Sequence, residues 1–398
     1  MKKFIAVLLS ALIVTGSLSL AGCSGKADGS TFTFADETYD RSVTEIVVQD
    51  KNITSFDELL SCESLAALTL ENCQISDISE ISKLTGLKKL TLSNNKISDI
   101  SDISKLTELQ VLSLSGNNIS DITPVAALGK LTYLDIGKNP VNDLSPVAAL
   151  SKLETLYADE TNITDITPID NLKSLEELYL SYNAIMGFSA VASLENLRVL
   201  DLHASGLSGL GVLEDLTDLQ ELYIGENPDI EDFSAVTKLE KLEVLYAESD
   251  SITDVSVFKN MPKLRVLYLT NDSIEDVTPL KSVKTLEELN IEGNYVVSQE
   301  NVGDLITALP NCEIVHSDLK TALELELLKP SSDTDTETDT DTETDSEEEE
   351  EEEEDSDEDS DEDGEDEDGE EENSDTDSSA DGTVTVTTTT VTEYYTVD

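Results

Sequence analysis

The chain is predicted to be an α/β repeat: a solenoid made mostly of short strands plus short 3₁₀ segments, with one curved parallel sheet and a disordered acidic C-terminal tail. Three observations predict this. An apolar unit recurs every 22 residues from Leu65 to Leu286, with one interval of 23. The apolar positions of one copy cannot close a core alone, so copies must stack. After Lys329-Pro330 the composition turns almost wholly to Asp, Glu, Ser and Thr.

In chain order, Lys2 and Lys3 precede an apolar stretch, Phe4 to Val14, that is too short to span a bilayer. It reads as an export signal over residues 1–22. It ends in Leu20-Ala21-Gly22-Cys23, which is similar to the lipobox of bacterial lipoproteins. That resemblance implies cleavage before Cys23 and lipidation of its thiol. Each buried methylene contributes about 0.8 kcal/mol, so two or three acyl chains hold a protein stably. An ordinary signal peptide with a chance cysteine is the alternative. No later segment is apolar for the roughly 18 residues of a membrane helix, so the lipid is the expected anchor. The expected place is the extracellular face of a bacterial membrane, with residues 23–42 as a tether.

Leu-x-x-Leu-x-Leu strands open at Leu65, Leu87, Leu109, Leu131, Leu153, Leu175, Leu197, Leu219, Leu242, Leu264 and Leu286. The one longer interval carries its extra residue in Asn227-Pro228-Asp229-Ile230. Val43, Ile46, Val48, Ile53 and Phe56 fill the same slots one turn earlier, and Leu309, Cys312 and Ile314 form a degenerate last strand. The solenoid therefore spans 43–317 with about 12 repeats, followed by a cap or linker at 318–330. Residues two apart on a strand share a face, so Leu112 and Leu114 point inward together and each turn covers its neighbour. The outer side of each turn, such as Asp121 to Leu128, is too short for a full α-helix and carries proline near its start, which favours 3₁₀ segments.

The unit Leu109-x-x-Leu112-x-Leu114-x-x-Asn117-x-Ile119-x-x-Ile122-x-Pro124 resembles the internalin-type bacterial leucine-rich repeat. The likeness includes its Asp-Ile-x-Pro turn, which recurs in form at Asp143 to Pro146, Asp165 to Pro168 and Asp276 to Pro279. The resemblance implies a leucine-rich-repeat solenoid whose concave face is the usual ligand surface.

Asparagine at the ninth position of the turn (Asn95, Asn117, Asn139, Asn183, Asn227, Asn294) has a structural explanation. The chain bends inward there, and a buried amide can serve the peptide groups that the bend leaves unpaired. Cys73, Thr161, Ser205, Asp250 and Asp272 share that slot. Cys62, Cys73 and Cys312 all fall at interior positions, so buried free thiols are favoured over a bridge between Cys62 and Cys73.

Beside the buried leucines, the fifth position of successive turns forms an outward column. It reads Val47, Thr69, Thr91, Ser113, Asp135, Tyr157, Tyr179, Asp201, Tyr223, Tyr246, Tyr268 and Asn290. The seventh position adds Asp159, His203, Glu248 and Glu292, and the third adds Glu177 and Glu221. Tyrosine offers wide contact area with one polar tip and little rotamer entropy to lose. A tyrosine stripe among carboxylates reads as a docking surface for a protein with basic residues. Tyrosine also simply suits an exposed strand, but the early turns carry small polar residues in the same column. The expected ligand-binding set is Tyr157, Asp159, Tyr179, Asp201, His203, Tyr223, Tyr246, Glu248 and Tyr268.

An enzyme is not expected. Asp201 and His203 lie two apart on one strand and face outward, Ser205 is interior by register, and no nucleophile, base and orienter converge. His316 is the second and last histidine, there is no Cys-x-x-Cys pair and no glycine-rich phosphate loop, so no metal site or cofactor is expected. The net charge is −62, and 34 of the 86 acidic residues lie from Ser331 onward with no Lys or Arg among them. Nucleic acid is disfavoured as a partner, because phosphate binding needs basic surface.

Residues 331–382, with eight consecutive glutamates from Glu347 to Glu354, cannot bury enough apolar surface to offset their ordering entropy and are expected to be disordered. Two readings stay open: an arm that gathers calcium weakly or binds cationic protein, and a solubilising spacer. Residues 383–398 alternate Thr and Val, and could pair with a sheet edge or be glycosylated. The whole reads as a monomeric, lipid-anchored surface protein that binds a protein ligand on its concave face. An envelope scaffold and a carbohydrate-binding surface are the competing readings.

Overall fold

The computed structural model of the chain divides into two units, 1–331 and 332–398. It describes residues 31–295 and 299–317, all within the first. The signal segment with Cys23, the linker 318–330, the acidic stretch 331–382 and the terminus 383–398 lie outside the described residues.

The described part opens with strands β1 (Thr31–Phe34) and β2 (Glu37–Asp40), paired antiparallel. This corrects the reading of 23–42 as a tether throughout. Phe32 and Phe34 alternate with threonine, so both fall on one face, and both join the apolar core at 5% exposure. Ala35 and Asp36 turn the chain at positive φ, 52° and 67°, as a two-residue hairpin requires. The hairpin thus supplies apolar cover that a terminal repeat otherwise lacks.

The strands that follow are β3 (Glu45–Gln49), β4 (Ala67–Glu71), β5 (Lys89–Thr91), β6 (Val111–Ser113), β7 (Tyr133–Asp135), β8 (Thr155–Tyr157) and β9 (Glu177–Tyr179). They continue as β10 (Val199–Asp201), β11 (Glu221–Tyr223), β12 (Val244–Tyr246), β13 (Val266–Tyr268), β14 (Glu288–Asn290) and β15 (Glu313–Val315). They form one 13-stranded parallel sheet in strict sequence order. Each central leucine pairs with its counterpart in the next turn, as Leu90 does with Leu112. Leu222 pairs with Leu245 in the same manner, so the inserted residue never reaches the sheet. It is absorbed in the turn where Ile230 N–H donates to Asn227 O at 3.1 Å.

The return path of each turn is a 3₁₀ segment of three to five residues. The recurrent aspartate explains where it starts: Asp121 Oδ1 accepts the Thr123 N–H at 2.8 Å, and Asp143, Asp165 and Asp276 do the same for Ser145, Thr167 and Thr278. The hydroxyl of the same threonine also acts on the carboxylate, and hydroxyl and amide together hold Asp121, Asp165 and Asp276 below their usual range. The last turn departs from the expectation of 3₁₀ segments alone. Helix α1 (Gln299–Ala308) joins β14 to β15. Its Val302 and Leu305, with Leu309 beyond its end, are buried, and their spacing is that of one helical face.

Between sheet and 3₁₀ segments lies one continuous core of Leu, Ile and Val. Along its edge runs the amide ladder. Asn95 Nδ2 donates to the carbonyls of Leu70, Leu92 and Ser93, and its Oδ1 accepts the N–H groups of Cys73 and Ile75. Asn117 and Asn139 repeat the donor pattern one and two turns on. Cys62 and Cys73 are buried free thiols. Cys312, expected inside, is only partly buried: it leads into β15, the last strand among the described residues.

Candidate functional site

The sheet has one face on the core, and the side chains of the third, fifth and seventh positions stand on the other. All five column tyrosines stand there, half-buried. Strands register residue on residue, so equal side chains in adjacent turns are brought face to face. Tyr157 and Tyr179 stack with centroids 4.0 Å apart and planes 5° from parallel. Tyr223 stacks on Tyr246 at 5.0 Å, and Tyr246 on Tyr268 at 4.3 Å. Tyr133, a third-position residue absent from the expected set, extends the first stack with its ring 5.6 Å from that of Tyr157. Its signal was available, since third and fifth positions share a face.

The face thus carries two aromatic stacks, Tyr157-Tyr179 with Tyr133 tilted 43° against its end, and Tyr223-Tyr246-Tyr268, with strand β10 between them. On β10 stands Asp201, in register with Tyr179 on one side and Tyr223 on the other. The Tyr223 hydroxyl donates to Glu221 Oε2 at 2.8 Å, and that of Tyr268 donates to Glu288. Packing ring on ring removes water from the hydroxyls and raises their pKa, that of Tyr157 to about 12. The same desolvation lifts Asp135 and Asp201 to about 6 and raises Asp159, Glu177 and Glu248. In the third, fifth and seventh columns Lys89 is the last Lys or Arg, so from β6 onward this face is acidic and aromatic.

His203 departs from the expectation. It is not an outward contact but is buried, 4% exposed. Its ring meets that of Tyr182 edge-on at 5.2 Å. Nε2 lies 3.6 Å from Glu226 and Nδ1 3.9 Å from Glu248. The cause is Gly225, the seventh residue of the next turn. A Cβ there would lie 2.7 Å from Glu248 Cδ, so glycine opens the space in which Glu248 folds down beside the imidazole. Asp159 uses Gly137 in the same way, at 2.6 Å from a Cβ placed there. The pairing of Asp201 with His203 is a backbone one: Asp201 Oδ1 accepts the His203 N–H at 3.0 Å. That bond shapes the strand end and presents no proton relay. Among the described residues no group of three or more His, Cys, Asp or Glu is arranged to hold a metal ion.

The arrangement is a broad contact surface with acidic floor and aromatic ridges, not a closed reaction site. Known proteins share the fold in outline. The sequence profile of the family described as "Leucine-rich repeat region" matches residues 41–184. The solved structure of an internalin (inlF) from Listeria monocytogenes is 31% identical, with a TM-score of 0.64 over 74% of this chain and 89% of that one. A TLR13–ssRNA13 complex is similar at 22% identity and a TM-score of 0.51, over 65% of this chain and 41% of that one. A TDR receptor is similar at 19% identity and a TM-score of 0.52, over 62% and 46%. Among curated proteins none matches the chain.

Proposed function

The chain belongs to the internalin-like leucine-rich-repeat proteins, and from that premise we propose that it docks a protein ligand bearing basic residues on the open face of its sheet. In this reading the protein is held outside a bacterial membrane by lipid at Cys23. One observation carries the docking reading: two tyrosine stacks flank a carboxylate on a face whose third, fifth and seventh columns contain no Lys or Arg from β6 onward. Stacked rings are already desolvated and immobile, so little entropy is lost when a partner covers them. The carboxylates favour a basic partner over others. The RNA of the TLR13 complex belongs to that protein; here an acidic face would repel phosphate.

The test is capture of ligand from envelope or host extracts, followed by titration of the purified ligand against wild type and a variant with Tyr157, Tyr179, Tyr223, Tyr246 and Tyr268 changed to Ala. Binding should fall at least a hundredfold in the variant. A Tyr→Phe series, which keeps the rings, controls for damage to the fold. Unchanged affinity in the alanine variant would favour the scaffold reading, in which the acidic segment 331–382 gathers calcium or cationic protein and the solenoid is a spacer. Saturable binding on a glycan array would favour a carbohydrate ligand.

A further inference from the structure

We infer that the gap over Asp201, between Tyr179 and Tyr223, seats one arginine side chain of the protein ligand. This rests on the docking reading and gives it a point of specificity.

The geometry defines the size of the gap. Tyr179 stacks away from β10 onto Tyr157, and Tyr223 stacks away from it onto Tyr246. Each therefore turns its other ring face toward Asp201. Strands two apart in a sheet are separated by about 9.6 Å. A flat group placed midway lies about 4.8 Å from each ring, within the 4.0 to 5.0 Å range over which the rings of this face already stack. One planar group completes a continuous stack from Tyr157 to Tyr268.

The chemistry of the gap selects that group. Its floor is the Asp201 carboxylate, oriented by the bond from the His203 N–H. Glu177 and Glu221 stand on the flanking strands, in register with Val199 between them. An aromatic ring would fit the spacing but would bury the Asp201 charge without a partner. A lysine ammonium would bring charge but no plane. A guanidinium brings both: it stacks on aromatic faces and meets a carboxylate through two parallel N–H donors. Asp135, the other carboxylate of the same column, is not equivalent. Both carboxylates are met by a serine side chain and a backbone N–H, but of the two neighbours of Asp135 in register only Tyr157 is a ring, whereas Asp201 has a ring on each side.

The experiment titrates the full chain at low salt with N-acetyl-arginine amide, the matching lysine amide and the matching citrulline amide, a neutral analogue of the same shape. Ring resonances of isotope-labelled tyrosines report the site. The arginine probe should saturate, with the largest shifts at Tyr179 and Tyr223, and the citrulline and lysine probes should bind at least tenfold more weakly. Asp201→Asn should lose at least tenfold, and Asp135→Asn should change nothing. Asn is tolerated in this column, because Asn290 accepts the Glu292 N–H at 3.0 Å as Asp201 accepts that of His203. Equal arginine binding by Asp201→Asn, absence of saturable binding, or shifts spread evenly over the tyrosines would overturn the inference. If any of these occurs while the five-tyrosine variant still loses its protein ligand, the docking reading survives without the arginine seat. If that variant keeps its ligand, both fail.

Discussion

The Asp250 carboxylate accepts the backbone N–H of Asn227 at 2.6 Å, and its other oxygen is buried without a protein hydrogen-bond partner. Asp250 stands where most turns carry the ladder asparagine. An asparagine there donates as well as accepts; a carboxylate can only accept. Burial accordingly pushes Asp250 up to about 8, and Asp272 one turn on to about 6. Near neutral pH burial therefore favours the protonated carboxyl, whose second oxygen still makes no bond of the kind the asparagine amide makes.

Asp250→Asn should therefore stabilise the solenoid. The native pKa is raised above the ordinary carboxylate value near 3.9, so the wild-type residue contributes fully below about pH 4 and loses that contribution as pH rises through about 8. Satisfying one buried polar group stabilises by about 1–3 kcal/mol. Denaturant unfolding of variant and wild type should show a difference that grows from pH 5 to pH 9. A constant or shrinking difference would contradict the assignment.

Asn95→Ala should be among the most damaging single changes in the interior. Five hydrogen bonds to backbone groups of the ladder end on this one amide, and a methyl group replaces none of them. A loss on the order of 3 kcal/mol or more is expected, with faster hydrogen exchange at Cys73 and Ile75. Protection unchanged at those two amides would refute it.

Two glycines should respond differently to alanine. Gly116 has φ +69°, and a Cβ there would sit 2.4 Å from Asn94 Oδ1. Gly225 meets only the flexible end of Glu248. Thermal unfolding should place Gly116→Ala about 1–2 kcal/mol below wild type, and Gly225→Ala within about 1 kcal/mol. Structure determination of the second variant should find Glu248 displaced from His203; an unmoved Glu248 would count against the steric account.

Binding of a basic ligand should weaken on mild acidification. Desolvation holds Asp201 near 6 and raises Asp159, Glu177 and Glu248 as well. An ion pair requires the ionised form, so affinity is full above that range and falls as the carboxyls protonate. About a tenfold loss is expected between pH 7.5 and 5.5. Calorimetry at both values with the purified ligand checks the direction; tighter binding at pH 5.5 would reverse it.

The repeat fixes much of this in advance. A strict 22-residue spacing with leucine two apart admits one economical solution, stacked turns with a parallel sheet, and the column of tyrosines follows from strand alternation alone. The ladder role of Asn95 and its counterparts was equally legible, because a buried amide at a bend has few other uses. Less legible was whatever depends on a neighbour 22 residues away. His203 has the register of an outward residue, and only the missing side chain at Gly225 and the inward fold of Glu248 bury it. The hairpin at Thr31–Asp40 belongs to no repeat, although Phe32 and Phe34 carry its alternating signature.

By itself the sequence determined the solenoid, the face on which Tyr157, Tyr179, Tyr223, Tyr246 and Tyr268 stand, and the acid that surrounds them. Tertiary structure alone decided that these rings pack on one another, that the stack breaks at Asp201, and that Asp250 and Asp272 lack a donor's bond. The physical reason is that periodicity sets direction, whereas burial and hydrogen bonding depend on which side chain the adjoining turn brings within a few ångströms.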